Sequence, residues 1–108
     1  MRVQITARHC ELTEELRDRT EELVTKLQKY DPRVSAADVV FIEERNEKKA
    51  EAVLSVDRDQ RVAASGEGDD LFRALDKLVE RLAKILRRRR SQVRDHKAKP
   101  LTEGMSGD

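Results

Sequence analysis

The chain has 108 residues, 37% hydrophobic and 42% charged, with a formal net charge of +1. That is length for one domain and a short tail, with a core too lean for a wrapped barrel, so two or three amphipathic layers are expected. No stretch approaches the roughly 18 apolar residues of a membrane span, no apolar N-terminal run reads as a signal peptide, and the single Cys10 cannot form an internal disulfide, which agrees with a reducing cytosol.

Residues 2–8 alternate with period two. Val3, Ile5 and Ala7 share one face and Arg2, Gln4, Thr6 and Arg8 the other, so this is a strand with one buried side. His9-Cys10-Glu11 is a connection. Thr13 then caps a first helix, with Glu14 and Glu15 favourably placed in its first turn and Leu16, Leu23, Val24, Leu27 and Tyr30 as its apolar stripe. Asp31-Pro32 ends that helix, because the residue before proline disfavours the helical region. Residues 38–43 form a β-branched and aromatic run, and Asn46-Glu47-Lys48 reads as a turn. A strand follows over 49–56, with Ala50, Ala52, Leu54 and Val56 on one side. After the polar connection 57–60 comes a last strand over 61–67. Its alternating Val62, Ala64 and Gly66 are small enough to let a helix lie close.

The longest element runs from Asp70, a good N-cap, to about His96. Leu71, Leu75, Leu78, Val79, Leu82, Ile85 and Leu86 recur at spacings of three and four. The stripe should continue through position 89, where the sequence has Arg. From Arg87 onward the helix is expected to project beyond the sheet, basic all round. The tail is aperiodic and contains Pro100, Gly104 and Gly107, so residues 98–108 are expected to be disordered. The order β-α-β-β-β-α predicts an α+β two-layer sandwich, a four-stranded sheet with two helices packed on one face.

The net charge conceals a strong split. Residues 81–99 hold nine Lys/Arg against the single acid Asp95, so that segment carries +8 and the remainder −7. Guanidinium forks suit phosphate oxygens, and a run of them gives salt-sensitive, sequence-tolerant binding to a polyanion. Arg73, Lys77, Lys84 and Arg87 point away from the apolar stripe, while Arg81 and Arg88 flank it. Val93 is the only apolar residue from 87 to 97, which leaves no face for membrane insertion. With only Tyr30, Phe41 and Phe72 as aromatics, a base-stacking platform is not expected, and backbone and shape recognition of structured RNA fits better. Catalytic chemistry finds no support. The only imidazoles and thiol are His9, His96 and Cys10, zinc-ligand spacings are absent, and Asp69-Asp70 is accounted for by capping. No catalytic residue, metal, cofactor or small-molecule substrate is expected.

Four blocks then carry a resemblance. Ile5-Thr6-x-Arg8-His9, Leu12-Thr13, Asp69-Asp70-Leu71-Phe72-x-Ala74-Leu75-Asp76 and Val93-Arg94-Asp95-His96 resemble the ribosome hibernation-promoting factor and ribosome-associated inhibitor family, once described as sigma-54 modulation proteins. The match covers residues 1 to about 97. It implies a fold similar to double-stranded-RNA-binding domains, a ribosome-binding domain over 1–97, and a cytoplasmic protein that is a monomer off the ribosome. It further implies binding to 16S rRNA in the mRNA and tRNA channel of the small subunit, in the 70S ribosome, silencing translation in stationary phase by occupancy. By matching position, Arg81, Lys84, Arg88, Arg89, Arg90 and Arg94 look like the family's rRNA-contacting helix, and Lys26 like a basic position on the first helix. The charge reading adds Lys77 and Arg87. Leu23 departs from the pattern, which usually has a cation there, and Asp31-Pro32 replaces an aromatic. The chain resembles the family's short form or an isolated N-terminal domain. Two other readings of the same residues stand beside this one: a general double-stranded RNA binder, and a protein-interaction module that modulates transcription.

Overall fold

The computed structural model describes the backbone of residues 1–57 and 60–98 and the side chains of 1–57 and 60–90. Part of the expected 57–60 connection, and the expected tail from residue 99 onward, lie outside the described residues. The elements are β1 (Arg2–Arg8), α1 (Glu14–Thr25) continuing into a 3-10 turn (Lys26–Lys29), β2 (Val34–Glu44), β3 (Glu47–Val56), β4 (Gln60–Gly68) and α2 (Leu71–Ala98). The sheet order is β1-β2-β3-β4. β1 and β2 are parallel, and the remaining pairs are antiparallel. A parallel pair needs a long crossover, and α1 with its 3-10 turn supplies it. The expected α+β sandwich is the fold observed.

Alternation is what assigns the two faces. One cross-strand row runs Ile5, Val39, Ala52, Ala64, and the adjacent row runs Val3, Ala37, Leu54, Val62. These side chains meet the helices. The opposite face is open and polar, with Val53 its one large exposed hydrophobic group among the described residues. β2 starts at Val34, four residues before the expected 38–43 run. A register shift between Val34 and Ala36 lets Val34 pair with Val56, so pairing draws the weakly β-forming Ser35-Ala36-Ala37 into the ladder. The β2–β3 turn is Arg45-Asn46, one residue earlier than expected. Arg45 takes φ 56°, as the first position of a tight hairpin turn requires, and Glu44 pairs with Glu47.

Both helix caps form at the residues expected. Thr13 Oγ1 accepts from the Leu16 N–H at 3.1 Å, and an Asp70 carboxylate oxygen accepts from the Arg73 N–H at 2.8 Å. α1 also buries Thr20, a polar residue on its stripe. Its hydroxyl donates to the Leu16 carbonyl at 2.7 Å, so no polar group is left unpaired. On α2, Leu75, Leu78, Leu82 and Leu86 are fully buried against the sheet, together with Ala74.

The small residues of β4 have the consequence expected of them. A Cβ built on Gly66 would stand 2.5 Å from the Leu78 amide nitrogen and 2.6 Å from the Ala74 carbonyl oxygen. Both neighbours are backbone and cannot rotate away. Gly66→Ala should therefore force α2 off the sheet and lower stability by roughly 1–3 kcal/mol, the usual range for overpacking. Urea unfolding would show this as a lower midpoint at an unchanged slope, and an unaltered midpoint would contradict the close-approach account.

Candidate nucleic-acid interface

The candidate surface follows from the direction of the helices. β4 and β2 run the same way, and each helix returns antiparallel to the strand it follows, so α1 and α2 are parallel to each other. Their N-termini share one end of the molecule with Glu14, Glu15, Asp69, Asp70 and the β2–β3 turn residues Glu43, Glu44 and Glu47. Their C-terminal ends share the other with Lys26, Lys29, Arg33 and the arginine run. Acids at helix N-termini and cations at C-termini are both favourable to the helix dipoles. The charge split in the sequence thus becomes a split in space.

α2 is 28 residues long, about 42 Å, against about 30 Å for the nine residues of β4. The helix does overhang the sheet, but the overhang starts later than expected. Three of the four consecutive arginines are held against the body of the domain. The Arg87 guanidinium lies 5.4 Å from the Tyr30 ring centroid, and Lys29 Nζ lies 5.1 Å from the same ring. Arg90 Nη1 donates to the Tyr30 carbonyl at 3.3 Å. Arg89 is half-buried where the apolar stripe was expected to continue. Its stem extends the covered face, one terminal nitrogen donates to the Gln60 side-chain oxygen, and its Nε is buried with no partner among the described residues. The helix is therefore not basic all round at positions 87–90, because position 89 belongs to the core face.

The other candidates differ in how free they are. Lys77, Lys84 and Arg88 are exposed and make no ion pair or hydrogen bond among the described residues. Arg81 is exposed, but its Nη1 donates to the Ser65 carbonyl at 2.7 Å. It thereby covers part of the β4 edge and keeps its other donors for a ligand. Lys26 sits on the 3-10 turn with Nζ 3.5 Å from a Glu22 carboxylate oxygen, an exposed pair of little energetic weight that a phosphate can displace. Arg94 lies on the helix backbone, and its side chain is outside the described residues. The first helix thus brings Lys26 to the same end as the arginines, although Leu23 takes no part in the charge.

Two cations on this surface, Lys29 and Arg33, were not anticipated. Lys29 could have been found, since it follows Lys26 by three residues. Arg33 could not, because its position depends on a buried anion. The Asp31 carboxylate is only 1% exposed and is gripped by Arg33 in a two-pronged pair, Nε to Oδ1 and Nη2 to Oδ2, each at 3.0 Å. The Arg33 amide N–H adds a third bond at 3.0 Å, and Arg33 Nη1 reaches an Asp57 carboxylate oxygen at 3.3 Å. Asp31 therefore does more than end the helix. The Arg33 side chain beside it, with a smaller contribution from the charge of Arg90, holds its carboxyl below the usual carboxylate range against the opposing effect of burial.

The Cys10 thiol donates to the Phe41 carbonyl at 3.6 Å, and burial raises its pKa, the reverse of what a nucleophile needs. Among the described residues no cluster of His, Cys, Asp and Glu is placed to hold a metal ion, and no helix is long and apolar enough to cross a membrane.

Comparison with known proteins matches this arrangement to one family. Residues 3–97 match the model of the sigma 54 modulation protein / S30EA ribosomal protein family. The chain is 32% identical over 96 residues to the ribosome hibernation promoting factor of Salmonella typhimurium, covering 89% of this chain and all of that protein. It is 31% identical over 96 residues to the factor of the same name from Escherichia coli K12, with the same coverage. Among solved structures, the Thermus thermophilus Protein Y N-terminal domain superposes with a TM-score of 0.74 at 27% identity, over 82% of this chain and 98% of that one. A ribosomal subunit interface protein from Coxiella burnetii gives 0.78 at 22% identity, over 84% and 99%, a likeness of fold.

The Asp31–Arg33 pair makes two predictions. Because the folded-state pKa of Asp31 lies below its unfolded value, the pair's stabilisation is complete above the unfolded pKa of about 3.9 and is lost as pH falls through the folded value. Asp31→Asn should therefore flatten the drop in thermal midpoint between about pH 4 and pH 2, and a drop as steep as the wild type's would exclude Asp31 as its source. Arg33→Gln should destabilise more than Asp31→Asn at pH 7. It leaves a buried carboxylate without its partner, a loss of about 3–5 kcal/mol, whereas Asp31→Asn leaves an arginine that water can reach. Paired denaturant titrations would reveal the order.

Proposed function

Because the chain belongs to the sigma 54 modulation protein / S30EA ribosomal protein family, we propose that it is a ribosome-associated hibernation factor, acting in the cytoplasm under stress and in stationary phase. It binds 16S rRNA of the small subunit in the channel used by mRNA and tRNA, and silences translation by occupying that channel without chemistry. The observation that supports this best is the polar layout, in which cations from α2, the 3-10 turn and Arg33 share one end while the acids of both helix N-termini share the other. Such a molecule can approach a polyanion in one orientation only, and its phosphate contacts set position before any base is read. Relatives bearing the hibernation-factor name, matched over their whole length, bring the ribosome into the reading. The contacting residues proposed are Lys26, Lys77, Arg81, Lys84, Arg87, Arg88, Arg89, Arg90 and Arg94. Lys77, Lys84 and Arg88 are the freest of them among the described residues, while Arg87, Arg89 and Arg90 also hold the domain together.

Co-sedimentation with 30S, 50S and 70S particles at several salt concentrations is the direct test. The protein should pellet with 30S and 70S and not with 50S. Binding only to free duplex RNA would instead favour the general double-stranded RNA reading, and pelleting with no particle would remove the ribosomal one. Log affinity should fall linearly with log salt, and Lys84→Gln combined with Arg88→Gln should reduce the magnitude of that slope by about 1.4–1.8, equivalent to two phosphate contacts. Because both residues are exposed and unpaired among the described residues, thermal stability should stay within about 0.5 kcal/mol of wild type. An unchanged slope would mean that neither side chain faces phosphate.

A further inference from the structure

Between α1 with its 3-10 turn and α2 lies an open groove of about 370 Å³ whose apolar floor the phosphate-binding account leaves unused. Its floor is apolar. Leu27 and Ala83 are buried there, and Leu23, Val79 and Tyr30 are half-buried. Its rim is charged and polar along its length. The α2 side runs Asp76, Glu80, Arg87, positions that share one helix face, and the α1 side ends in Lys26 and Lys29. Leu23, which departs from the cation expected at its position, is part of the floor. An apolar residue is what a groove needs there and what a phosphate contact does not.

We infer that this groove receives one unpaired nucleotide of the bound RNA, base inward and phosphate outward, with guanine the base it fits best. This rests on the ribosomal RNA reading above and deepens it. The groove's volume falls at the small end of ligand pockets, roughly 300–1,000 Å³, which suits an occupant of one nucleotide. Charge fixes its direction. Arg87, Lys26 and Lys29 draw the phosphate to one end. Along the helix, Glu80 about 10 Å away and Asp76 about 16 Å away offer carboxylates, which as anions accept hydrogen bonds and donate none. Guanine presents two adjacent N–H donors on its Watson–Crick edge to such an acceptor, while uracil presents one. The groove is continuous with the basic surface through Arg87, so a nucleotide splayed from a loop can enter while its neighbours stay on the arginines. Sequence-specific readout at this one position is thereby added to an otherwise sequence-tolerant surface, without the stacking platform that the scarcity of aromatic residues argues against.

The test is kethoxal probing of guanines in 30S particles, with wild-type protein, with Leu23→Trp to fill the groove, and with the double variant Asp76→Asn and Glu80→Gln. Wild type should protect a particular guanine. Leu23→Trp should reopen that guanine while still pelleting with 30S at about tenfold lower affinity. The double variant changes only exposed side chains and decides the matter should Leu23→Trp lose its fold, which a thermal melt would reveal. It should reduce the same protection several-fold. Protections identical in all three proteins, or 30S binding with no guanine protected, would overturn the groove assignment and leave ribosome binding intact. A crosslink from the groove to a ribosomal protein would overturn it as well. Absence of 30S binding by wild type would overturn both.

Discussion

The arrangement of this domain depends on how closely α2 lies on β4. At Gly66 the helix backbone comes so near that a single methyl group would stand 2.5 Å from a main-chain nitrogen. That closeness leaves no freedom of rotation about the helix axis, because Ala74 and the leucines at 75, 78, 82 and 86 must all fall on the sheet at once. Fixing the rotation fixes where each arginine goes. Arg81 is brought to the open edge of β4, Arg87 to Tyr30, and Arg89 to Gln60 at the start of β4. The basic surface is in this sense a product of core packing two turns away.

Direction matters as much as proximity. A βαβ crossover followed by a three-strand meander obliges both helices to run the same way. Their dipoles add instead of cancelling, and the side chains that complement them are sorted to opposite ends. A molecule of net charge +1 then presents a strongly positive end without being a basic protein overall. The acids do two things at once: they cap and stabilise the helix N-termini, and they keep polyanions away from that end. Asp31 and Asp57 are exceptions, anions at the positive end, and Asp31 is buried there. Its pairing with Arg33 turns what would be a local charge defect into an anchor for the crossover between the 3-10 turn and β2.

Much of this was legible residue by residue. Thr13 and Asp70 announced the helix starts because capping is a contact made within three residues. The apolar stripes and the inward Ala50, Ala52, Leu54 and Val56 were legible because burial imposes the period of the element on the sequence. The start of β2 and the position of the β2–β3 turn were not. The start of β2 is set by pairing with the far end of β3, Val34 with Val56, because Ser35-Ala36-Ala37 has no strand preference of its own, and the turn falls where that register closes, Glu44 on Glu47. The burial of Thr20 is not displayed by composition either: a hydroxyl on an apolar stripe is acceptable once it bonds to the carbonyl one turn back.

By itself the sequence determined the order of elements, the caps, the buried faces and the concentration of positive charge in the last helix. These are all properties of neighbours along the chain or of a single repeating period. Only the tertiary structure decided which of those charges are free. Position 89 on the core face, the Tyr30 ring between Lys29 and Arg87, the carbonyls that hold Arg81 and Arg90, and the Asp31–Arg33 pair all join residues of different elements. The groove beside Leu23 exists only because two helices stand side by side. A charge count gives the sign and strength of a surface, whereas its shape is a property of how the elements are stacked.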